Sequence, residues 1–378
     1  MIWFIAEDSH YYSNIDELKA KYKLADIIIF PSGDDIRSNL RRDCGFIAPY
    51  YPPKNVRSMF VIKHLENKFG ILTSQEKEHS VSESIALESR LGLSVIDSPF
   101  GLDDVGGAEA LKEWTKQLQA AEVKGYRAKG IFLVGVPGTG KTFFPKCFAG
   151  QTKRLLIMLN LSMIMESEEP INKLNQIFAY LSVRYEQKPH EKYIILIDEI
   201  EKMIGNNEAI EKRIIGRLLT VLNDLNTPAS EYKFNAIFFA TANNLNSILD
   251  HNPELLRRGR WDELFFINLP SLEQAESIFN IYLKKFQIGF IKDIYSMDNI
   301  MAEIEHQYQE FNNQSSRFPY TASEIETFCK RISFVNMAKD SVDQDDIIET
   351  VSMIIPIIKS SQEGINRITA QKELFLEI

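Results

Sequence analysis

The residues best equipped for chemistry stand in one short stretch, Gly135-Val136-Pro137-Gly138-Thr139-Gly140-Lys141-Thr142, directly after the apolar run Ile131–Val134. Glycines at this spacing let the backbone enter left-handed conformations, so that successive N–H groups turn inward on an anion. The helix that follows adds the dipole and unpaired amides of its N-terminus. Lys141 would then reach the β- and γ-phosphates of a nucleotide, and the Thr142 hydroxyl would ligate Mg²⁺. A chance Gly-rich turn has no reason to combine a lysine, a threonine and a preceding strand. A second group, Asp198 and Glu199, ends another apolar run, Tyr193–Ile197. Burying carboxylates is costly without a partner, and a metal is such a partner. Asp198 would hold Mg²⁺, directly or through water, and Glu199 would polarise an attacking water. A third run, Ala236–Thr241, ends in Ala242-Asn243-Asn244, and an Asn at that tip is suited to orient the water. Downstream, Arg257, Arg258 and Arg260 cluster around Gly259, by residue type a solvated surface or an anion site.

Positioning these groups takes several buried strands. Ile131–Val134, Arg154–Asn160, Tyr193–Ile197, Ala236–Thr241 and Leu264–Asn268 read as five of them. Pro145 falls early in the helix after the loop, where a local kink is expected. From Pro270 the pattern turns helical. Ser271-Leu272-Glu273-Gln274 and Thr321-Ala322-Ser323-Glu324 read as capping boxes. Helices are expected over 271–286, 297–310, 322–338 and 343–360, with Pro356 kinking or ending the last. Residues 1–95 form a distinct region with a βαβ-like start: strands at Ile2–Ala6 and Ala25–Phe30, and a helix at Asn14–Lys23 between them. Beyond lie an extended segment, Pro49–Pro53, an apolar element, Val56–His64, and a helix-prone linker, Gln75–Arg90. The expected domains are therefore a small N-terminal α/β region at 1–95, a nucleotide-binding α/β unit at 96–270, and a helical lid with a tail at 271–378.

The chain of 378 residues is 44% hydrophobic and 25% charged, ordinary for a globular protein. Its formal charge of −9 argues against a general nucleic-acid or anionic-membrane binder. Cys44, Cys147 and Cys329 show no metal or disulfide spacing and fit packed thiols in a reducing cytoplasm. No apolar stretch approaches bilayer-spanning length, and Met1–Ile5 is too short and lacks the basic start of a signal peptide.

Taken in order, the motifs resemble those of the AAA family of P-loop ATPases over residues 99–340. Pro99–Gly107, with Gly101-Leu102-Asp103-Asp104-Val105-Gly106-Gly107, resembles the segment that opens the AAA module, which implies that Val105 and Gly106 line an adenine pocket. The loop and its flank, Pro137 to Phe143, are the implied phosphate cradle, and the DE pair is the implied Walker B site. The ATANN segment implies that Asn243 is the water-orienting residue, with Asn244 as the alternative. Leu255-Leu256-Arg257-Arg258-Gly259-Arg260-Trp261-Asp262 is similar to the family's LLRxGRxD motif, which implies that Arg257 and Arg260 reach a neighbouring subunit's nucleotide as arginine fingers. Tyr320–Glu326 resembles the lid-helix start that touches base and ribose, with Ala322-Ser323 in place of the usual Gly-Ala. Ser162–Glu168 occupies the place of the loop that grips a threaded chain in ring unfoldases, but has neither its aromatic residue nor its glycine. The GLDDVGGAEALKEW opening, ATANN and RRGRWDELFFINLP look most like the reading-frame ATPases of plastids and cyanobacteria and their bacterial relatives.

The resemblance implies a five-stranded parallel P-loop NTPase core with a helical lid, using ATP and Mg²⁺. It implies a homo-oligomeric ring, a hexamer, that hydrolyses ATP and remodels a protein client recruited by residues 1–95. The alternative is an ATP-gated assembly switch with little mechanical work, which the departures in Ser162–Glu168 leave open. A DNA-directed role has the acidic charge against it.

Overall fold

The computed structural model describes residues 2–5 and 27–30, Glu88, and the chain from Arg90 to Ile378 apart from 205–207, 226, 228–229, 258 and 313–315. The chain divides into two compact units, residues 1–90 and 91–378. In the first, β1 (Ile2–Ile5) pairs in parallel with β2 (Ile27–Phe30), Ile2 opposite Ile27. A parallel pair needs a crossover between its strands. The helix expected there, Asn14–Lys23, lies outside the described residues, as do Pro49–Pro53, Val56–His64, Cys44 and most of the expected linker.

The second unit is built on a seven-stranded sheet of order β3-β5-β6-β7-β4-β8-β9. Its five middle members are the expected parallel strands: β4 (Gly130–Gly135), β5 (Leu155–Leu159), β6 (Tyr193–Ile197), β7 (Ala236–Ala242) and β8 (Glu263–Ile267). Both faces of the inner strands are covered, so β4, β6 and β7 are buried at every position and read as unbroken apolar runs. Two edge strands complete the sheet. β3 (Leu93–Asp97) runs antiparallel to β5, and β9 (Leu376–Glu377) adds in parallel to β8. The boundary expected at residue 95 thus falls inside β3, which belongs to the core sheet.

Helices α1 (Glu109–Val123), α2 (Phe143–Thr152), α3 (Leu161–Met165), α4 (Pro170–Gln187) and α5 (Glu208–Asp224) surround the sheet. Pro145 sits buried in the first turn of α2, where a helix has no use for its missing N–H, and the helix continues through it. Cys147 and Cys329 are both buried and free.

The lid helices are α6 (Leu272–Lys285), α7 (Met297–Tyr308), α8 (Ala322–Lys339) and α9 (Gln344–Met353). Both expected capping boxes form, at Ser271/Gln274 and Thr321/Glu324. The single helix expected over 343–360 is broken. It stops at Met353, and Pro356, unable to donate a backbone hydrogen bond, caps a separate short turn, Ile357–Ser360. The tail, unassigned in sequence, forms α10 (Gln362–Thr369) and β9.

Two hydrophobic clusters result. One lies between the sheet and α1 and α2, around Leu133, Phe148, Leu196 and Phe239. The other fills the lid, around Phe279, Ile304, Tyr320 and Phe328, and it includes Val136 of the glycine-rich loop. Asp262 fixes the start of β4: its carboxylate accepts from the Lys129 N–H at 2.7 Å, the Gly130 N–H at 2.8 Å and the Tyr126 hydroxyl at 2.8 Å. Replacing Asp262 by Ala leaves those donors unpaired, and urea unfolding should show a loss of about 2–3 kcal/mol. A loss under about 0.5 kcal/mol would mean that the strand start is held by other contacts.

Candidate active site

β4 delivers the chain into the loop at Gly135, whose φ of +153° and closeness to β8 both require glycine: a Cβ there would lie 2.0 Å from the Ile267 carbonyl oxygen. Gly138 and Gly140 are left-handed, with φ of +81° and +93°. Lys141 is buried inside the loop, and its Nζ donates to the carbonyls of Gly135 at 2.9 Å and Val136 at 2.7 Å. Burial pushes its pKa down to about 7, against the pull of the Glu201, Asp198 and Glu199 carboxylates. The Thr139 hydroxyl donates to Val136 O at 2.7 Å and holds the loop shut on itself.

The tips of β6 and β7 place the acids opposite. Asp198 Oδ1 accepts from two hydroxyls, Thr142 at 2.8 Å and Thr241 at 2.6 Å. Thr241 also accepts the Glu199 N–H at 2.8 Å. Glu199 itself has a left-handed backbone, φ +50°, uncommon for a residue with a Cβ. Asn243 donates its side-chain N–H to Glu199 Oε1 at 2.8 Å and its backbone N–H to Glu201 Oε1 at 2.8 Å. Lys202 forms an ion pair with the other Glu199 oxygen. Of the two asparagines, Asn243 is the one bonded to Glu199. Asn244 is exposed and instead accepts the Asn246 N–H at 2.9 Å.

Three partners here were missed in the sequence: Thr241, Glu201 and Lys202. Thr241 left a trace as the one hydroxyl in the apolar run AIFFATA, and Glu201 as a third acid after the DE pair. Glu201 Oε2 is buried with no hydrogen-bond partner, and burial raises its pKa.

The donors fit a hard cation. A hydroxyl and a carboxylate on one side of a cleft suit Mg²⁺, which prefers oxygen and usually completes its shell with water and substrate phosphates. Among the described residues no group of three His, Cys, Asp or Glu side chains could hold a metal by itself. A cation between Thr142 and Asp198 would therefore need oxygens from a bound polyphosphate.

The cleft continues from Lys141 and Thr142 past Pro137, Gly138 and Phe143 to the start of α8, with a volume of about 680 Å³. Ala322 and Ser323 line it, and the Ser323 N–H donates to Gly138 O at 3.0 Å. Beside it is an apolar pocket lined by Val105, Gly106, Thr139, Phe143, Ile278 and Ala322. Gly106 passes so close to α6 that a Cβ would lie 2.8 Å from the Ile278 backbone nitrogen. All the residues expected to hold phosphate, base and metal are thus brought together. The two arginines are not. Arg257 is exposed beside Gly259 and Trp261 on another face, and Arg260 is half-buried with Nη1 unpartnered; neither lines the cleft.

A parallel sheet that gathers a glycine-rich loop, a lysine and two strand-tip acids at the carboxyl ends of its strands defines a P-loop nucleotide-binding fold. Within that class, residues 131–269 match the model of the ATPase family associated with various cellular activities (AAA). The chain carries a AAA ATPase domain. A AAA domain-containing protein of Guillardia theta, ycf46, is 30% identical over 314 residues, covering 79% of this chain and 54% of that protein. The proteasome-activating nucleotidase of Saccharolobus solfataricus is 29% identical over 236 residues, covering 60% of this chain and 53% of its own. The chain spans about half the length of the curated relatives it matches. Among solved structures, the FIGL-1 AAA domain superposes with a TM-score of 0.51 at 19% identity, covering 78% of this chain and 95% of that one, a likeness of fold. No helix of the described residues is long and apolar enough to cross a membrane.

Thr241 ties Asp198 to Glu199, so Thr241→Val should misplace both acids while sparing the phosphate loop. ATP turnover is expected to fall about 10- to 100-fold, as when a supporting hydrogen bond to a metal site is removed. Nucleotide affinity, read by titrating a fluorescent ADP, should change less than about threefold. Equal losses in both would show the hydroxyl to be a folding contact instead.

Proposed function

We propose that this chain hydrolyses ATP with Mg²⁺ in the cleft, as a homo-oligomeric ring, a hexamer, that remodels a protein partner. The observation that carries the reading is the hydrogen bond from Asn243 to Glu199 beside the Asp198–Thr142 pair. A protein that only held nucleotide would have no need of a carboxylate aimed by an amide. In this reading the backbone N–H groups of Gly138 to Thr142 and the Lys141 ammonium bind the phosphates. Bound Mg²⁺ would neutralise charge on the transferred phosphoryl group, held by Thr142 and Asp198. Glu199 accepts the proton of the attacking water, and Asn243 holds the acid and the water in line. Val105 and Gly106 take the base, with Ala322 and Ser323 closing over it.

Arg257 and Arg260 complete a neighbour's site in this scheme, because their own cleft does not include them. A finger supplied by a neighbour makes hydrolysis depend on assembly. The name of the proteasome-activating nucleotidase points to work on a protein machine, and residues 1–95 are the region we assign to recruiting a client. Residues 96–270 and 271–378 serve as the nucleotide-binding unit and the lid with its tail. Two buried free thiols fit a reducing compartment such as the cytoplasm.

A second reading, an ATP-gated assembly switch, is favoured by Lys202. Its ion pair and the Asn243 amide between them occupy both oxygens of Glu199. Ile164 is also buried, and the Met163 sulfur lies against Gly92, so part of the segment where a threading loop was sought is packed.

ATPase activity measured against protein concentration, with Mg²⁺, separates the readings. Specific activity should rise with concentration, and Glu199→Gln and Arg257→Ala should each lose about 10²- to 10³-fold. Mixing the two variants should restore part of the activity, since an intact acid then meets an intact arginine across one interface. A wild type that binds ATP yet turns over negligibly at every concentration would make the switch the better account. Activity independent of concentration would remove the ring.

A further inference from the structure

We propose that the C-terminal segment, residues 371–378, is a wall of the nucleotide site, and that Ile378 is a positioning contact for the base. The inference rests on the reading that the cleft takes ATP. β9 pairs with the outer edge of β8, Phe265 opposite Leu376 and Phe266 opposite Glu377. The pairing continues one residue further: the Ile378 N–H donates to Phe266 O at 2.9 Å, and the Asn268 N–H donates to Ile378 O at 3.4 Å. A parallel strand on this edge points its carboxyl end the same way as β4, β6 and β7, toward the nucleotide. Ile378 accordingly lines the apolar pocket with Val105, Gly106, Ile278 and Tyr282, and packs on the same cluster as Val105.

Two residues of β-pairing are too few to hold a segment in place. Side chains supply the rest. The Glu377 carboxylate accepts from Asn268 Nδ2 at 2.6 Å, Arg317 Nη2 at 2.8 Å and Lys372 Nζ at 2.8 Å. Arg317, which precedes α8, also donates to Leu269 O at 3.1 Å, at the junction of sheet and lid. At the start of the segment, Gln371 Nε2 donates to Asn246 Oδ1 at 2.7 Å, and Asn246 in turn is bonded to Asn244, the neighbour of Asn243. The segment is therefore pinned at both ends, near the water-orienting residue and at the base pocket. Its apolar side chain at 378 would lie against the flat, weakly polar face of a base, whereas the phosphates would be held by the backbone N–H groups of the glycine-rich loop.

That separation gives the test. The full chain and its Ile378→Ala, Ile378→Leu and Glu377→Gln variants are titrated without hydrolysis, by calorimetry, with two probes: ADP, which has a base, and inorganic pyrophosphate, which has none. Ile378→Ala is expected to weaken ADP about three- to tenfold, the scale of losing part of one aliphatic contact. Pyrophosphate binding should stay unchanged, and Ile378→Leu should recover most of the ADP affinity. Glu377→Gln, which loosens the anchor, should weaken ADP in the same selective way. Unchanged ADP binding by Ile378→Ala, or equal weakening of both probes, overturns the role of the segment. A wild type that binds pyrophosphate but not ADP overturns the nucleotide reading itself, a result distinguishable from either.

Discussion

The site rests on one constraint: a buried lysine shares its throat with three carboxylates, one of them, Glu201, carrying a buried and unbonded oxygen. Lys141 is buried, and Asp198, Glu199 and Glu201 all pull on its charge. Groups of this kind are stable only where fixed donors and acceptors replace the lost water. The loop carbonyls of Gly135 and Val136 receive the ammonium; Thr142, Thr241 and Asn243 donate to the carboxylates. All but Thr142, the N-cap of α2, sit at or just beyond a strand end, so the sheet order, with β4 beside β7 and β7 beside β6, is what brings them within bonding distance. A one-residue slip in either pairing would send Thr241 or Asp198 to the opposite face.

The same arrangement explains which substitutions the local chain tolerates. Pro145 stands within the first turn of α2 at no cost in hydrogen bonds, since the helix leaves those N–H groups free for an anion. Gly135 has no such latitude, because the Ile267 carbonyl occupies the space its side chain would need. Asp262, at the end of the arginine motif, works as a clamp on the start of β4 rather than as part of the cleft. That motif thus mixes architecture with groups aimed elsewhere.

Much of this was legible in the sequence, for physical reasons. Inner strands buried on both faces leave continuous apolar runs, and a phosphate loop needs glycine, lysine and threonine at fixed spacing; both signals are local. The capping boxes at Ser271 and Thr321 are local too, and both formed. What escaped notice depends on partners distant in the chain. β3 is half-exposed and pairs antiparallel to β5 more than fifty residues on, from Leu93 to Leu159. β9 is two residues long and carries no pattern at all, only a place on an edge left open by β8. Thr241 and Glu201 act through neighbours that the fold, not the spacing, assembles. Arg257 and Arg260 do not line the cleft of their own chain, and the role proposed for them needs a second copy.

Val136 has a wider bearing. Its N–H is bonded to β8, while its side chain is part of the lid's own hydrophobic cluster, and two residues on, Gly138 accepts the Ser323 N–H from the first turn of α8. The phosphate loop is thereby a shared piece of two cores. Exchange of its amide protons with solvent should then track the opening of both cores together, because neither can melt without stripping the loop of contacts. Sheet and lid should behave as one cooperative unit, and the stability of the lid is set in part by a residue that looks, in the sequence, like filler between a glycine and a proline.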